Sequence, residues 1–201
     1  MWRVTEPDGI DTNPTYSYRP SLLGAPWQFT LAPDGIQWSA GRQSGHVGYD
    51  KVRRIRLSYR PANMQTHRFQ LELWAEGAPK LRLVSTSWKS MFEQERLDKP
   101  YAAFVAALHA RLLAANAPVL YEQGSGPLTY WPGAILFAGV ALGLAFLVMR
   151  ALMTDAMGGA AFIAAFLALF LWHGSNFFRR NRPGLYRADA VPPALLPKDR
   201  S

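Results

Sequence analysis

The stretch Pro132-Gly-Ala-Ile-Leu-Phe-Ala-Gly-Val-Ala-Leu-Gly-Leu-Ala-Phe-Leu-Val-Met149 contains no charged side chain. As a helix, these 18 residues would span about 27 Å, close to the hydrocarbon thickness of a bilayer, about 30 Å. The uncharged run around it covers 123–149, between Glu122 and Arg150. A second run covers 156–178, between Asp155 and Arg179, with Ala160 to Trp172 at its centre. The competing reading is a pair of core helices in a soluble protein, but such helices are usually shorter and more interrupted. The expectation is two transmembrane helices, 131–149 and 156–175, joined by a short extracytoplasmic loop, 150–155, into an antiparallel hairpin.

Orientation follows from basic residues. Arg179, Arg180, Arg182 and Arg187 follow the second run, whereas the loop has only Arg150 with Asp155 beside it. The positive-inside rule then puts both chain ends in the cytoplasm. Tyr130 and Trp131 at the start of the first helix, and Trp172 at the matching end of the second, suit interfacial anchoring on that face. Gly139 and Gly143 form a GxxxG, and Ala160, Ala164 and Ala168 repeat small residues at spacing four. Such residues let helix backbones approach in lipid. They serve either a homodimer interface or packing inside the hairpin. Neither span contains Asp, Glu, Lys or Arg, so nothing suggests an ion path or proton relay.

These segments explain why whole-chain averages mislead. The chain has 201 residues, a net charge of +8 and a mean hydropathy of −0.07, values that fit a basic soluble domain. The charge divides into +4 before residue 130 and +4 after it, the latter concentrated beyond residue 178. Cysteine is absent, which excludes disulfides, thiolate metal sites and thiol nucleophiles. The first nine residues carry acids and no apolar core, unlike a cleavable signal peptide.

The preceding half reads as β, then α. Residues 1–25 suggest an extended arm, pinned through Tyr16 and Tyr18 or else partly disordered. Trp27, Phe29 and Leu31 alternate, Pro33-Asp34-Gly35 turns the chain, and Ile36 to Ser39 alternates again, giving a hairpin. Gly41, Gly45 and Gly48 punctuate the next stretch. Val52 to Tyr59 predicts a strand with Ile55, Leu57 and Tyr59 on one face. Pro61-Ala62-Asn63 breaks it, and Arg68 to Ala75 and Leu81 to Trp88 continue the pattern. About six to seven strands are expected. From Asp98, a plausible N-cap, to Asn116, Tyr101, Phe104, Val105, Leu108 and Leu112 form one helical stripe. An α+β module over 26–122 would thus lead through a linker, 123–130, to the hairpin. The segment 176–201, with Pro183, Pro192, Pro193 and Pro197, has the composition of a disordered tail. Tyr186, Leu195 and Leu196 are the residues through which it would bind a partner or fold back.

From Trp27 to Ala115 the pattern resembles the bacterial pleckstrin-homology-like (PH-like) domains. The resemblance rests on Phe29-Thr-Leu-Ala-Pro-Asp-Gly-Ile-Gln-Trp38, Gly45-His-Val-Gly-Tyr-Asp-Lys-Val52, Phe69-Gln-Leu-Glu-Leu-Trp74, Leu81-Arg-Leu-Val-Ser85 and Tyr101-Ala-Ala-Phe-Val-Ala-Ala-Leu108. It implies a bent antiparallel sheet, nearly a barrel, closed by a C-terminal helix. It also implies the inner (plasma) membrane of a bacterium as the location. Phosphoinositide binding does not carry over: the first loop, Ala32-Pro33-Asp34-Gly35, is short and acidic.

No catalytic constellation emerges. His46, His67, His109 and His173 form no metal-spaced pair, and Glu93 and Glu95 sit in an apparent loop, Met91 to Leu97. Gly124-Ser125-Gly126 lacks the strand–turn–helix context of a nucleophile elbow and reads as linker. No cofactor, metal or nucleic acid is implied. Arg42, Lys51, Arg53, Arg54 and Arg56 form a basic cluster that either contacts anionic lipid or is a solvated, charge-balanced strand face. The expected function is a non-enzymatic scaffold or adaptor binding a protein partner or a second copy. The alternatives are an accessory subunit of a membrane complex and a sensor of anionic lipid or a small ligand.

Overall fold

Strict alternation in Trp27–Ala32 (β2) and Gly35–Ala40 (β3), around the Pro33-Asp34 turn, builds the first hairpin. The computed structural model describes residues 13–60, 68–90 and 93–197. The start of the N-terminal arm, the Pro61–Asn63 break, His67 and Met91 therefore lie outside the described residues. Thr15–Tyr18 (β1) pairs with β2, and Gln43–Gly48 (β4) pairs with β3, making a four-stranded antiparallel meander. A 3-10 turn, Tyr49–Lys51, leads into Val52–Tyr59 (β5), Phe69–Ala75 (β6) and Leu81–Val84 (β7), a second meander. A small hairpin, Thr86–Trp88 (β8) with Gln94–Arg96 (β9), precedes the helix Asp98–Ala114 (α1). The glycine-punctuated stretch is thus a strand, and the Glu93/Glu95 loop contains one.

The arm is correspondingly more ordered than its composition suggests. Tyr16 and Tyr18 are in the core. Their hydroxyls donate to the backbone of β7: Tyr16 to Val84 C=O at 2.6 Å and Tyr18 to Arg82 C=O at 2.5 Å. Side chains from one sheet's edge therefore satisfy the other sheet's edge carbonyls, which must otherwise face water or stay unpaired. Burial pushes both phenol pKa values up. The helix α1 packs on this seam, its Tyr101 and Phe104 rings lying 6.0 and 5.7 Å from that of Tyr16. The expected stripe is buried: Tyr101, Phe104, Val105, Leu108 and Leu112, with His109 added. Asp98 lies inside the helix and pairs with Arg96, while Leu97 takes the N-cap position.

After α1 the chain returns as Leu120–Gln123 (β10), parallel to β5. It then enters two long helices, Pro127–Met153 (α2) and Met157–Arg180 (α3). Their 27 and 24 residues correspond to about 40 and about 36 Å. Both are long and apolar enough to cross a membrane. Both extend beyond their uncharged runs at the C-terminal end because charged residues occupy the last turns, Arg150 in α2 and Arg179 and Arg180 in α3, and α2 starts before the expected residue 131. The connection shrinks to Thr154-Asp155-Ala156.

The two helices pack along a seam with alternating spacings of three and four. Phe137, Ala141, Leu144 and Val148 of α2 are half-buried, as are Ile163, Leu167 and Phe170 of α3, while Ala160 is buried. That spacing is the coiled-coil seam. Phe137 stacks on Phe170 at 4.7 Å and packs on Phe178. Gly174 is obligatory there, because a Cβ would lie 2.0 Å from the Phe137 ring.

The segment after α3 is folded, not disordered. Gly184–Leu185 (β11) pairs with β10, extending the second sheet to the order β11-β10-β5-β6-β7. A 3-10 turn, Pro193–Leu195, buries Leu195, with Leu196 and Val191 packed beside it. Burying one leucine is worth about 1.5–3 kcal/mol, which offsets the ordering of several residues.

Two core tyrosines provide a test. Tyr16→Phe removes a donor that satisfies a buried carbonyl and should cost about 1–2 kcal/mol. The Tyr101 hydroxyl is buried with no hydrogen-bond partner among the described residues, so Tyr101→Phe should be neutral or stabilising. Thermal unfolding of both variants checks this; equal losses would contradict the assignment.

Candidate functional site

The basic cluster is distributed over ion pairs. Glu122, Arg56, Glu72 and Arg82 stand in register across β10, β5, β6 and β7, an alternating row of charge. Arg56 donates through Nε and a terminal nitrogen to Glu122 at 2.8 and 2.5 Å, and Arg54 lies 3.8 Å from the same carboxylate. Glu72, almost fully buried, receives Lys80 at 2.5 Å and Arg82 at 3.8 Å. Above this row, the Trp74 ring carries Arg54 at 4.0 Å, Lys80 at 4.7 Å and Arg56 at 5.3 Å, each a cation–π contact. Arg53 occupies a bulge in β5 and binds Glu76 at 2.8 Å, which holds the Glu76 carboxyl below its usual pKa. Arg42 and Lys51 are exposed elsewhere, in the β3–β4 turn and the 3-10 turn. The geometry matches a charge-balanced sheet face.

The more consequential assembly is where the helices meet the sheets. Asn181, the C-cap of α3, is completely buried. Its Oδ1 accepts the Tyr59 N–H at 3.1 Å, its Nδ2 donates to Phe177 C=O at 3.2 Å, and its backbone oxygen accepts the Ser125 N–H at 2.9 Å. Gly124 donates its N–H to Leu57 C=O at 2.8 Å. It has φ +76°, and a Cβ would lie 2.4 Å from the carbonyl oxygens of Asn181 and Arg182, so only glycine fits. Arg180 stacks over the Tyr59 ring at 4.9 Å. The expected linker is therefore the centre of a joint between β5, β10 and α3, and α2 begins at Pro127, immediately after it. Pro at the first helical position costs no hydrogen bond. Asn181 escaped the sequence reading. Its position after Arg179-Arg180 and shortly before Pro183 is a helix-end signal, but the partner, Tyr59, is 122 residues away.

The remaining residues singled out from the sequence lie on the helices and on the tail that follows α3. Tyr130 packs against Trp131 and Phe178. Trp131 and Trp172 are exposed, at the module end of the hairpin. Arg179 and Arg182 are exposed, and Arg187 pairs with Asp189 at 3.1 Å. Of the small residues only Ala160 enters the α2–α3 seam. Ala164 and Ala168 are exposed on its flank, and a Cβ on Gly139 or Gly143 would touch nothing within 4 Å. The GxxxG therefore faces away from α3 and does not serve packing within the hairpin.

Against known proteins, no family model, no curated protein and no solved structure matches the chain.

His109 links α1 to the returning tail. Its Nδ1–H donates to Val105 C=O at 2.7 Å, and Nε2 accepts the Tyr186 hydroxyl at 2.9 Å. Tyr186 also packs on Tyr121, while its N–H donates to Tyr121 C=O. Burial holds the imidazole pKa below its ordinary value, so the folded protein keeps it neutral. The unfolded chain binds this proton below about pH 6.5, so stability is complete above that pH and falls as pH drops toward the depressed folded value. Unfolding midpoints measured from about pH 7 to about pH 5 should decline, and His109→Gln should flatten that decline. An unaltered slope in the variant would contradict the role assigned to His109.

Proposed function

We propose that the chain is a membrane-anchored, PH-like adaptor without enzymatic activity. Its hairpin spans the inner membrane of a bacterium, and its module faces the cytoplasm with both termini. Three features support the architecture: a four-stranded and a three-stranded antiparallel meander followed by a closing helix; two helices whose outward residues, such as Ile135, Leu142, Phe162 and Leu169, are exposed and apolar; and arginines gathered at the module end. A water-soluble protein rarely exposes so continuous an apolar surface.

The observation that carries the adaptor reading is the edge of β4. Among the described residues nothing pairs with its outer side. Its sequence, Gln43-Ser-Gly-His-Val-Gly48, contains no Lys or Pro, the residues that usually protect an edge. Ala40 and Gln43 flank a two-residue turn, so Ser44, His46 and Gly48 direct N–H and C=O groups outward. An extended segment of a protein partner can add there as a strand. The outward GxxxG favours a second reading, an accessory subunit packing on a neighbouring helix.

The tagged full chain, extracted in mild detergent, should capture a partner that is lost with Ser44→Pro and kept with Arg42→Gln. The proline removes one outward N–H and no ladder bond. Capture indifferent to Ser44→Pro but lost with Gly139→Leu and Gly143→Leu would replace the adaptor reading with the subunit reading.

A further inference from the structure

We propose that a groove between the end of α3 and the returning tail binds the headgroup and glycerol region of an anionic phospholipid. This rests on the membrane reading above and adds a ligand to it. The groove encloses about 640 Å³. Arg179 and Arg180 line one side, and Val191, Pro193, Leu196 and Pro197 line the other. A cationic side facing an apolar wall suits an amphiphile; a free phosphate would leave the apolar wall unused.

Charge pairing separates these arginines from those on the sheet. Arg53, Arg54 and Arg56 each have a carboxylate within ion-pair distance. Among the described residues, Arg179 and Arg180 have none. The Arg180 guanidinium is held over Tyr59, and the neighbouring Asn181 is locked to the Tyr59 backbone. The pair is therefore presented from a fixed base, and a guanidinium fork matches phosphate oxygens without further adjustment.

Position supplies the rest. The uncharged run ends at residue 178, and Trp172 stands on the exposed surface two turns earlier, where indoles mark the bilayer interface. The arginines thus sit at headgroup depth on the leaflet to which basic residues are drawn, and basic pockets at that depth suit anionic headgroups. The lipid contact moves from the sheet cluster to the helix exit.

The test uses the full chain in detergent, titrated with phosphatidylglycerol or phosphatidylcholine and followed by native mass spectrometry. Phosphatidylglycerol should bind in preference. Arg179→Gln should reduce that preference about fivefold, the effect of one basic residue beside an anionic surface. Ala194→Glu, which places a like charge in the groove, should reduce it comparably, and excess inorganic phosphate should not displace the lipid. Equal binding of the two lipids, a preference unchanged in both variants, or displacement by phosphate overturns the lipid site while leaving the membrane reading intact. A chain that stays monodisperse in buffer without detergent overturns the membrane reading and the lipid site with it.

Discussion

The hydrogen bond from the Tyr59 N–H to the buried Asn181 side chain ties the sheets to two long apolar helices, across 122 residues of chain. Tyr59 ends the longest strand of the module, and Asn181 ends the second apolar helix. Breaking this bond would strand a buried backbone donor, at a cost of about 1–3 kcal/mol. The bonds from Ser125 to Asn181 and from Gly124 to Leu57 make the same junction from the other strand. Entry into the hairpin and exit from it are thus fixed at one point on β5.

Several features depend on that junction. The parallel strand β10 lies beside β5 with Glu122 opposite Arg56, and it delivers the chain to Pro127 with no free segment between. After α3 the tail can reach β10, the His109–Tyr186 contact and the core position of Leu195 only because α3 ends against the sheet. The groove with Arg179 and Arg180 has the same cause, since its two walls are the last turns of α3 and the returned tail. A β4 edge on such a body would hold a set direction relative to the helices.

Local pattern was legible in the sequence, and distant closure was not. Alternation placed Ile55, Leu57 and Tyr59 on the inner face of β5, and helical spacing marked the Tyr101–Leu112 stripe of α1, because both periodicities act within one element. The two apolar helices followed from the same local count. Composition left the arm open between pinning through Tyr16 and Tyr18 and disorder, because their partners lie on the distant β7, and it misjudged the tail, whose prolines suggested disorder while Tyr186 and Leu195 found burial elsewhere. Gly124-Ser125-Gly126 looked like a flexible linker because glycine gives the same signal for freedom as for close approach. The basic cluster stayed open between a lipid contact and a charge-balanced face because Glu122 and Glu72, which neutralise it, come from other strands.

Module and hairpin form one body through Asn181. The absence of native cysteine allows spin labels at Arg42→Cys, on the β3–β4 turn, and Asp155→Cys, at the far tip of the hairpin. Double electron–electron resonance on the full chain should give a single narrow distance distribution that broadens when Asn181→Leu is added. A broad distribution with Asn181 in place, or a narrow one that Asn181→Leu leaves unchanged, would contradict the account.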